Sequence, residues 1–172
     1  MTPNKIALKM SNILENSART MARSALDLNV DTRTSTQARE FIEPFFPQAK
    51  FVFLDGTYKT ISWDNWKDII EWDITDLKKY KSETFDCDDF AYSFKYSVLK
   101  TLEIPCFIVH GHCYDKESNW KFGHFWNAMI ADGKLYFYEP IYDRWAEIIK
   151  GQKIFIKMAQ EEMEYRPITF EF

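Results

Sequence analysis

Residues 86–106 carry the stretch DCDDFAYSFKYSVLKTLEIPC, from which the fold prediction starts. Asp86 is a suitable N-cap residue, and Asp89 follows it at the spacing of a capping box. Large apolar residues then recur at helical spacing, at Phe90, Phe94, Val98 and Leu102. Pro105 ends the helical pattern. The stretch therefore predicts a helix over residues 87–102.

The sequence on both sides of this helix has the composition of strands. A hairpin is predicted from residues 51–54 and 57–61, which Asp55-Gly56 separates, and another from residues 124–131 and 134–139, which Asp132-Gly133 separates. Further strands are predicted over residues 106–114, 153–158 and 165–172. This order predicts an α+β fold in which the helix that carries Cys87 packs on an antiparallel sheet.

The first part of the chain has a different pattern. Apolar residues at helical spacing over residues 3–28 predict an amphipathic helix, and a polar stretch with Pro44 and Pro47 follows. We therefore divide the chain into an N-terminal helix and linker, residues 1–45, and a main domain, residues 46–172. A helix of this kind most often docks on its own domain, and contact with a partner chain is the alternative.

The length, net charge and cysteine content of the chain argue against several classes of protein. A chain of 172 residues with 46% apolar residues has room for one core, and a net charge of −4 argues against a nucleic-acid partner. No apolar run reaches the roughly 18–20 residues of a membrane span, and no secretion signal is visible. Three cysteines favour a reducing compartment, so a cytoplasmic location is expected, and a virus-encoded protein would share these features.

Cys87 is the first residue with candidate chemistry. A thiol in the first turn of a helix faces unpaired backbone N–H groups and the positive end of the helix dipole, both of which favour the thiolate. The three aspartates that flank Cys87 disfavour the thiolate, so a cationic neighbour is needed. Cys106 and Cys113 are predicted to be buried structural thiols.

His124 is the candidate for that neighbour. If Asp132-Gly133 is a two-residue turn, His124 and Glu139 are diagonal neighbours on one face of the hairpin. A carboxylate on one ring nitrogen stabilises the imidazolium and leaves the other nitrogen for the thiolate. The register thus predicts a Cys87, His124 and Glu139 constellation with the logic of a catalytic triad, and Asp143 is the alternative acid.

The local sequence around these residues resembles that of the transglutaminase-like superfamily of papain-type thiol enzymes. The segments concerned are Asp86-Cys87-Asp88-Asp89-Phe90-Ala91, Leu102-Glu103-Ile104-Pro105, Gly123-His124-Phe125-Trp126 and Tyr138-Glu139-Pro140. The bacterial transglutaminase-like cysteine proteinases look most similar. Two positions depart from the pattern, since Glu139 replaces the usual Asp and Glu103 stands where Gly is common.

The resemblance implies a papain-like fold and a cysteine peptidase or amidase. In this interpretation Cys87 is the nucleophile, His124 the base and Glu139 the orienting acid. The substrate is an amide of a peptide, a protein or a peptidoglycan cross-link, or a glutamine side chain. The reaction passes through a thioester, and hydrolysis is favoured over transamidation. No metal or cofactor is required.

Two alternatives of other classes stay open at this point. His110 and His112 alternate on one face of a predicted strand and, with His124, Cys87 or an acid, would supply zinc ligands. In the second alternative, the chain is a non-catalytic peptide- or glycan-binding module with a groove lined by aromatic side chains. The groove residues would then be Trp120, Phe122, Trp126, Tyr138, Tyr142 and Trp145.

Overall fold

A computed structural model describes residues 30–172 without a break. It also describes six earlier positions, Ser17, Thr20, Met21, Ser24, Leu26 and Leu28. The predicted amphipathic helix over residues 3–28 lies mostly outside the described residues. Leu26 and Leu28 are partly buried against the core of the main sheet. No helix in the described residues is both long and apolar enough to cross a membrane.

The helices lie in the first part of the described chain, and six consecutive strands follow the last of them. In chain order they are β1 (Asp31–Thr34), α1 (Ser35–Ile42), β2 (Lys50–Val52), β3 (Thr57–Thr60), α2 (Trp63–Trp72), a 3₁₀ turn (Thr75–Leu77), α3 (Cys87–Leu102), β4 (Phe107–Tyr114), β5 (Trp120–Ala131), β6 (Lys134–Glu139), β7 (Arg144–Glu147), β8 (Phe155–Met158) and β9 (Glu161–Glu171).

A seven-stranded sheet forms the centre of the structure. Its strand order is β2-β9-β4-β5-β6-β7, and β8 pairs with β9 outside this path. All neighbouring strands are antiparallel except β2 and β9, which run parallel. The predicted antiparallel sheet is therefore corrected to a mixed one. In the parallel pairing, the Phe51 ring of β2 stacks on the Phe170 ring of β9.

Each face of the sheet buries its own apolar cluster. On one face, Phe94 and Val98 of α3 pack with Met129 and Tyr138 of the sheet, and Trp66 of α2 completes the cluster. On the other face, a second cluster combines aromatic and aliphatic side chains and includes Trp126, Phe137, Phe170, Phe172, Ala38 and Ile42. The last two residues belong to α1, so the segment around residue 40 contributes to the main core.

The two predicted hairpins have different outcomes. Ala131 lies opposite Lys134, and Asn127 lies opposite Tyr138, as the two-residue turn requires. Asp132 and Gly133 have φ values of 50° and 70°, the left-handed conformation of a type I′ turn, so this hairpin is confirmed. The hairpin predicted at Asp55-Gly56 is wrong, because β2 pairs with β9 and β3 pairs with β1.

Helix α3 has the bounds that its apolar spacing predicts. The backbone N–H of Asp86 donates to the Asp89 carboxylate at 3.2 Å, one half of a capping box, and Cys87 is the first helical residue. The helix ends at Glu103, whose φ of 58° is the left-handed conformation that favours glycine. This conformation explains why glycine is common at the position of Glu103 in the pattern that the sequence resembles.

Gly111 marks the tightest approach between β4 and β9. A Cβ atom at this position would lie 2.3 Å from the Arg166 carbonyl oxygen and 2.5 Å from the Trp126 ring, beside a shift in the β4–β9 register. Gly111 also lies opposite His124 on β5. Only glycine fits here, and its lack of a side chain lets the strands pack closely beside His124.

We expect Gly111→Ala to lower the free energy of unfolding by about 3 kcal/mol, at the upper end of the cost of overpacking, because backbone must move to admit the methyl group. Denaturant unfolding followed by circular dichroism measures the change. Gly56→Ala is the matched control, because no atom lies within 4 Å of its added Cβ. Equal stability of the two variants would contradict this account of Gly111.

Candidate functional site

The structure brings Cys87, His124 and Glu139 together where α3 begins beside the hairpin of β5 and β6. Glu139 lies diagonal to His124 across the hairpin, and its Oε2 is 2.5 Å from His124 Nε2. Cys87 lies near His124, whose pKa its sulfur raises, and is partly exposed, whereas His124 and Glu139 are buried. The three residues predicted from the register thus form one contiguous group.

Glu139 is the most buried charged residue of this group. Its Oε2 accepts a hydrogen bond from the Tyr165 hydroxyl at 2.7 Å, and its Oε1 accepts one from the Ile141 backbone N–H at 3.1 Å. A carboxylate without contact to water needs such donors, because burial without them disfavours the charged form. Sequence reasoning found the His124 partner but missed Tyr165, which lies 26 residues further along the chain.

The surroundings of His124 favour the imidazolium. Burial by itself lowers the pKa of His124, but the charge of Glu139 and the nearby Cys87 sulfur, toward which the imidazolium donates, outweigh burial and raise the pKa to about 9. His124 is therefore the cationic neighbour that Cys87 requires. The raised pKa means that the imidazolium persists at neutral pH.

Acidic and aromatic side chains border Cys87. Asp86 and Asp88 share a hydrogen bond, which lowers the pKa of Asp86 and raises that of Asp88. Burial, with the nearby Cys87 and Asp86, raises the pKa of Tyr80. The ligand atoms of Asp86, Cys87 and Asp88 lie within 4.8 Å of one another, the only such group of three found in the described residues.

His110 and His112 do not acquire a third metal ligand. The His110 ring stacks on Phe125 with centroids 4.7 Å apart, and His112 meets Trp120 edge to face. Burial, and the neighbouring His112, lower the pKa of His110. Within the described part of the chain no cysteine or acid completes a three-ligand group with these histidines, so the geometry does not favour the zinc alternative.

Cys106 and Cys113 are free thiols in the interior. Both have no exposed surface, and burial raises the pKa of Cys106 to about 12 and that of Cys113 further. Cys106 accepts a long hydrogen bond, 3.5 Å, from the Asn127 side chain. These positions confirm the structural role predicted for both.

The six aromatic residues proposed for a groove separate into two groups. Trp126 and Tyr138 are buried in the two cores and line no surface. Trp120 and Trp145 are 59% and 46% exposed, and they lie on different strands, β5 and β7. A single groove lined by all six is therefore wrong.

Trp145 borders a pocket that the sequence did not indicate. The pocket has a volume of about 300 Å³ and is lined by Lys67, Ile70, Glu71, Asp73, Ile74, Asp76, Leu77, Asp143 and Trp145. Its acids come from the last turn of α2, from the segment after α2 and from the turn before β7, which is distant from the other two in sequence. No local motif connects these segments, so only the folded chain places them together.

Comparison with known proteins gives matches among solved structures only. No protein-family model and no curated protein sequence matches the chain. A PSL1a–E64 complex is 21% identical with a TM-score of 0.59, over 82% of this chain and 50% of that one. Polyporus squamosus lectin bound to the human-type influenza-binding epitope Neu5Aca2-6Galb1-4GlcNAc is 21% identical with a TM-score of 0.57, over 82% and 49%. The chain thus spans about half the length of these two neighbours.

These neighbours correct the prediction based on sequence resemblance. The transglutaminase-like assignment and the papain-like fold class are wrong, because the matching structures are those of a lectin and strands hold more of the described residues than helices do. The cysteine peptidase or amidase activity, with its hydrolase and thiol-protease classification, rested on that resemblance and is corrected with it. The roles predicted for Cys87, His124 and Glu139 themselves stay a prediction.

We expect Cys87 to react with iodoacetamide at pH 6.5, because the His124 imidazolium lies beside its sulfur. His124→Ala should slow the reaction about tenfold, because the reacting sulfur loses its cationic neighbour. Peptide mass spectrometry after timed quenching measures the modification at each cysteine. Cys106 and Cys113 serve as buried internal controls, and equal rates for Cys87 in both proteins would contradict the predicted pairing.

Proposed function

We propose that this chain is a glycan-binding module and that the pocket beside Trp145 holds the sugar. The observation that carries the proposal is the pairing of an exposed tryptophan with several carboxylates around one pocket of about 300 Å³. Such concave sites, with an aromatic wall and a few converging polar groups, are typical ligand sites. The fold shared with a lectin supports the same class of function.

The aromatic wall is held rigidly. Trp63 stacks on Tyr136 with ring centroids 3.8 Å apart and nearly parallel planes, and Trp145 packs edge-on against Trp63 at 4.8 Å. A preformed indole surface orders few groups when a ligand binds, which reduces the entropic cost of binding. The exposed face of Trp145 is then available to the C–H groups of a sugar ring.

The polar groups of the pocket are also fixed before a ligand arrives. Asp73 is buried and accepts a hydrogen bond from the Thr75 backbone N–H at 2.7 Å, and Asp143 accepts one from the Tyr138 hydroxyl at 3.2 Å. A carboxylate has about four acceptor positions, so each retains capacity for sugar hydroxyl groups.

The charge of the pocket selects among glycans. Four acids, Glu71, Asp73, Asp76 and Asp143, line it, and Lys67 is its one cation. The Lys67 ammonium is 2.6 Å from Asp64, outside the pocket lining. A negative pocket repels the carboxylate of a sialic acid, so we expect uncharged glycans here rather than the sialylated epitope of the lectin neighbour.

We expect Trp145→Ala to weaken binding to uncharged glycans by about tenfold or more, since truncation of a central aromatic anchor typically costs over 1 kcal/mol. The parent protein should prefer asialo over sialylated forms of the same glycan. An array of immobilised glycans identifies ligands, and titration calorimetry of the best one gives the affinities.

Trp120→Ala is the matched control, because Trp120 is equally an exposed strand tryptophan and lies on β5, outside the Trp145 pocket. Its affinity should stay within about twofold of the parent. Circular dichroism of both variants checks the fold. A parent protein that binds no glycan, or equal losses in both variants, would contradict the proposal.

A second candidate role is small-molecule binding at Cys87, which the partly exposed thiol on a buried imidazolium favours. One of the structural neighbours is a complex with E64. We expect E64 to form a 1:1 complex with this chain that Cys87→Ser abolishes, because the thiolate is the strongest nucleophile of the site. Native mass spectrometry measures the stoichiometry. Cys113→Ser is the control, and an unchanged complex in Cys87→Ser would place E64 elsewhere or show that Cys87 is not needed.

A further inference from the structure

Tyr165 is a buried residue of β9 whose hydroxyl reaches the site. It donates to Glu139 Oε2 at 2.7 Å, the same oxygen that lies 2.5 Å from His124 Nε2. Tyr165 therefore contacts the carboxylate rather than the thiol or the imidazole nitrogen. The hydrogen bond links β9 to β6 across the interior of the sheet face.

The Tyr165 ring is clamped by aromatic neighbours. Trp126 packs against it edge to face with centroids 4.9 Å apart, and His124 does so at 5.8 Å. Tyr165 also lies opposite Cys113 in the β4–β9 pairing. A side chain that is held on several sides delivers its hydroxyl to one place, which is the property of a positioning group.

We propose that Tyr165 is a positioning residue that controls the reactivity of Cys87 by holding the Glu139 carboxylate, charged and oriented, against His124. This inference goes beyond the glycan proposal and does not depend on it. It rests on the contacts among Tyr165, Glu139, His124 and Cys87.

The physical reason is the removal of Glu139 from water. A buried carboxylate remains charged only while donors and a cation stabilise it, and Tyr165 is one of two donors besides His124. Without the hydroxyl, Glu139 loses one of its hydrogen-bond donors, so its carboxylate is held less firmly against His124, the neighbour of Cys87. The titratable groups that face this cluster are Cys87 on α3, His124 on β5, Cys113 on β4, Tyr165 on β9, and Tyr142, Tyr80, Asp86 and Asp88 in and around the adjoining loops.

The test is the rate of Cys87 alkylation by iodoacetamide between pH 5 and pH 10. In Tyr165→Phe the rate at pH 6 should fall about three- to tenfold, and the midpoint should move about 0.5–1 unit toward higher pH. The rates of parent and variant should converge near pH 10, where the thiol ionises without help. A purely structural defect would lower the rate at every pH.

Tyr58→Phe is the matched control, since Tyr58 is a buried tyrosine of β3 whose hydroxyl accepts a hydrogen bond from the Asp55 backbone N–H instead. Its pH profile should coincide with that of the parent. A coincident profile for Tyr165→Phe, or an equal shift in Tyr58→Phe, would overturn the proposal.

A double-mutant cycle tests the route through Glu139. If Tyr165 acts on the carboxylate, Tyr165→Phe should change the profile little in a Glu139→Gln background, and a full additional shift would overturn the proposal. Site-specific replacement of Tyr165 by 3-fluorotyrosine tests the same hydrogen bond while keeping the hydroxyl in place. The fluorinated hydroxyl is a stronger donor, so the midpoint should move to lower pH, and an unmoved midpoint would overturn the proposal.

Discussion

The buried carboxylate of Glu139 imposes the central constraint on this structure. Removing a charge from water costs several kcal/mol, and here His124, Tyr165 and the Ile141 backbone offset that cost together. The three partners come from β5, from β9 and from the turn after β6, so those segments must meet at fixed distances. Gly111 allows this approach because any larger residue would separate β4 from β9.

Much of the local structure could be predicted because its causes lie within a few residues. Helix α3 follows from its cap and apolar spacing, and the β5–β6 hairpin follows from a two-residue turn that needs left-handed backbone. That register was enough to place His124 beside Glu139. The Cys87 contact also followed, since a thiol at a helix start needs a cation to balance its aspartates.

The remaining features depend on pairings between distant segments. The parallel pairing of β2 with β9 stands where a local hairpin was predicted, and it stacks Phe51 on Phe170, more than a hundred residues away in the sequence. Tyr165 and the acids around Trp145 are joined to their sites only by tertiary structure. A short motif therefore carried the resemblance to a thiol-enzyme family, while the fold of 82% of the chain is shared with a lectin.

Strand β9 has a consequence for the order in which the molecule is assembled. Its residues pair with β8, β4 and β2, and Lys50 of β2 lies opposite Thr169. Closing so long a loop is entropically expensive and is typical of slow steps in folding. The β5–β6 hairpin forms from neighbouring residues, but the Glu139 carboxylate gains its tyrosine donor only when β9 docks. The docking of β9 therefore both completes the sheet and supplies the last hydrogen-bond donor of the Cys87 site.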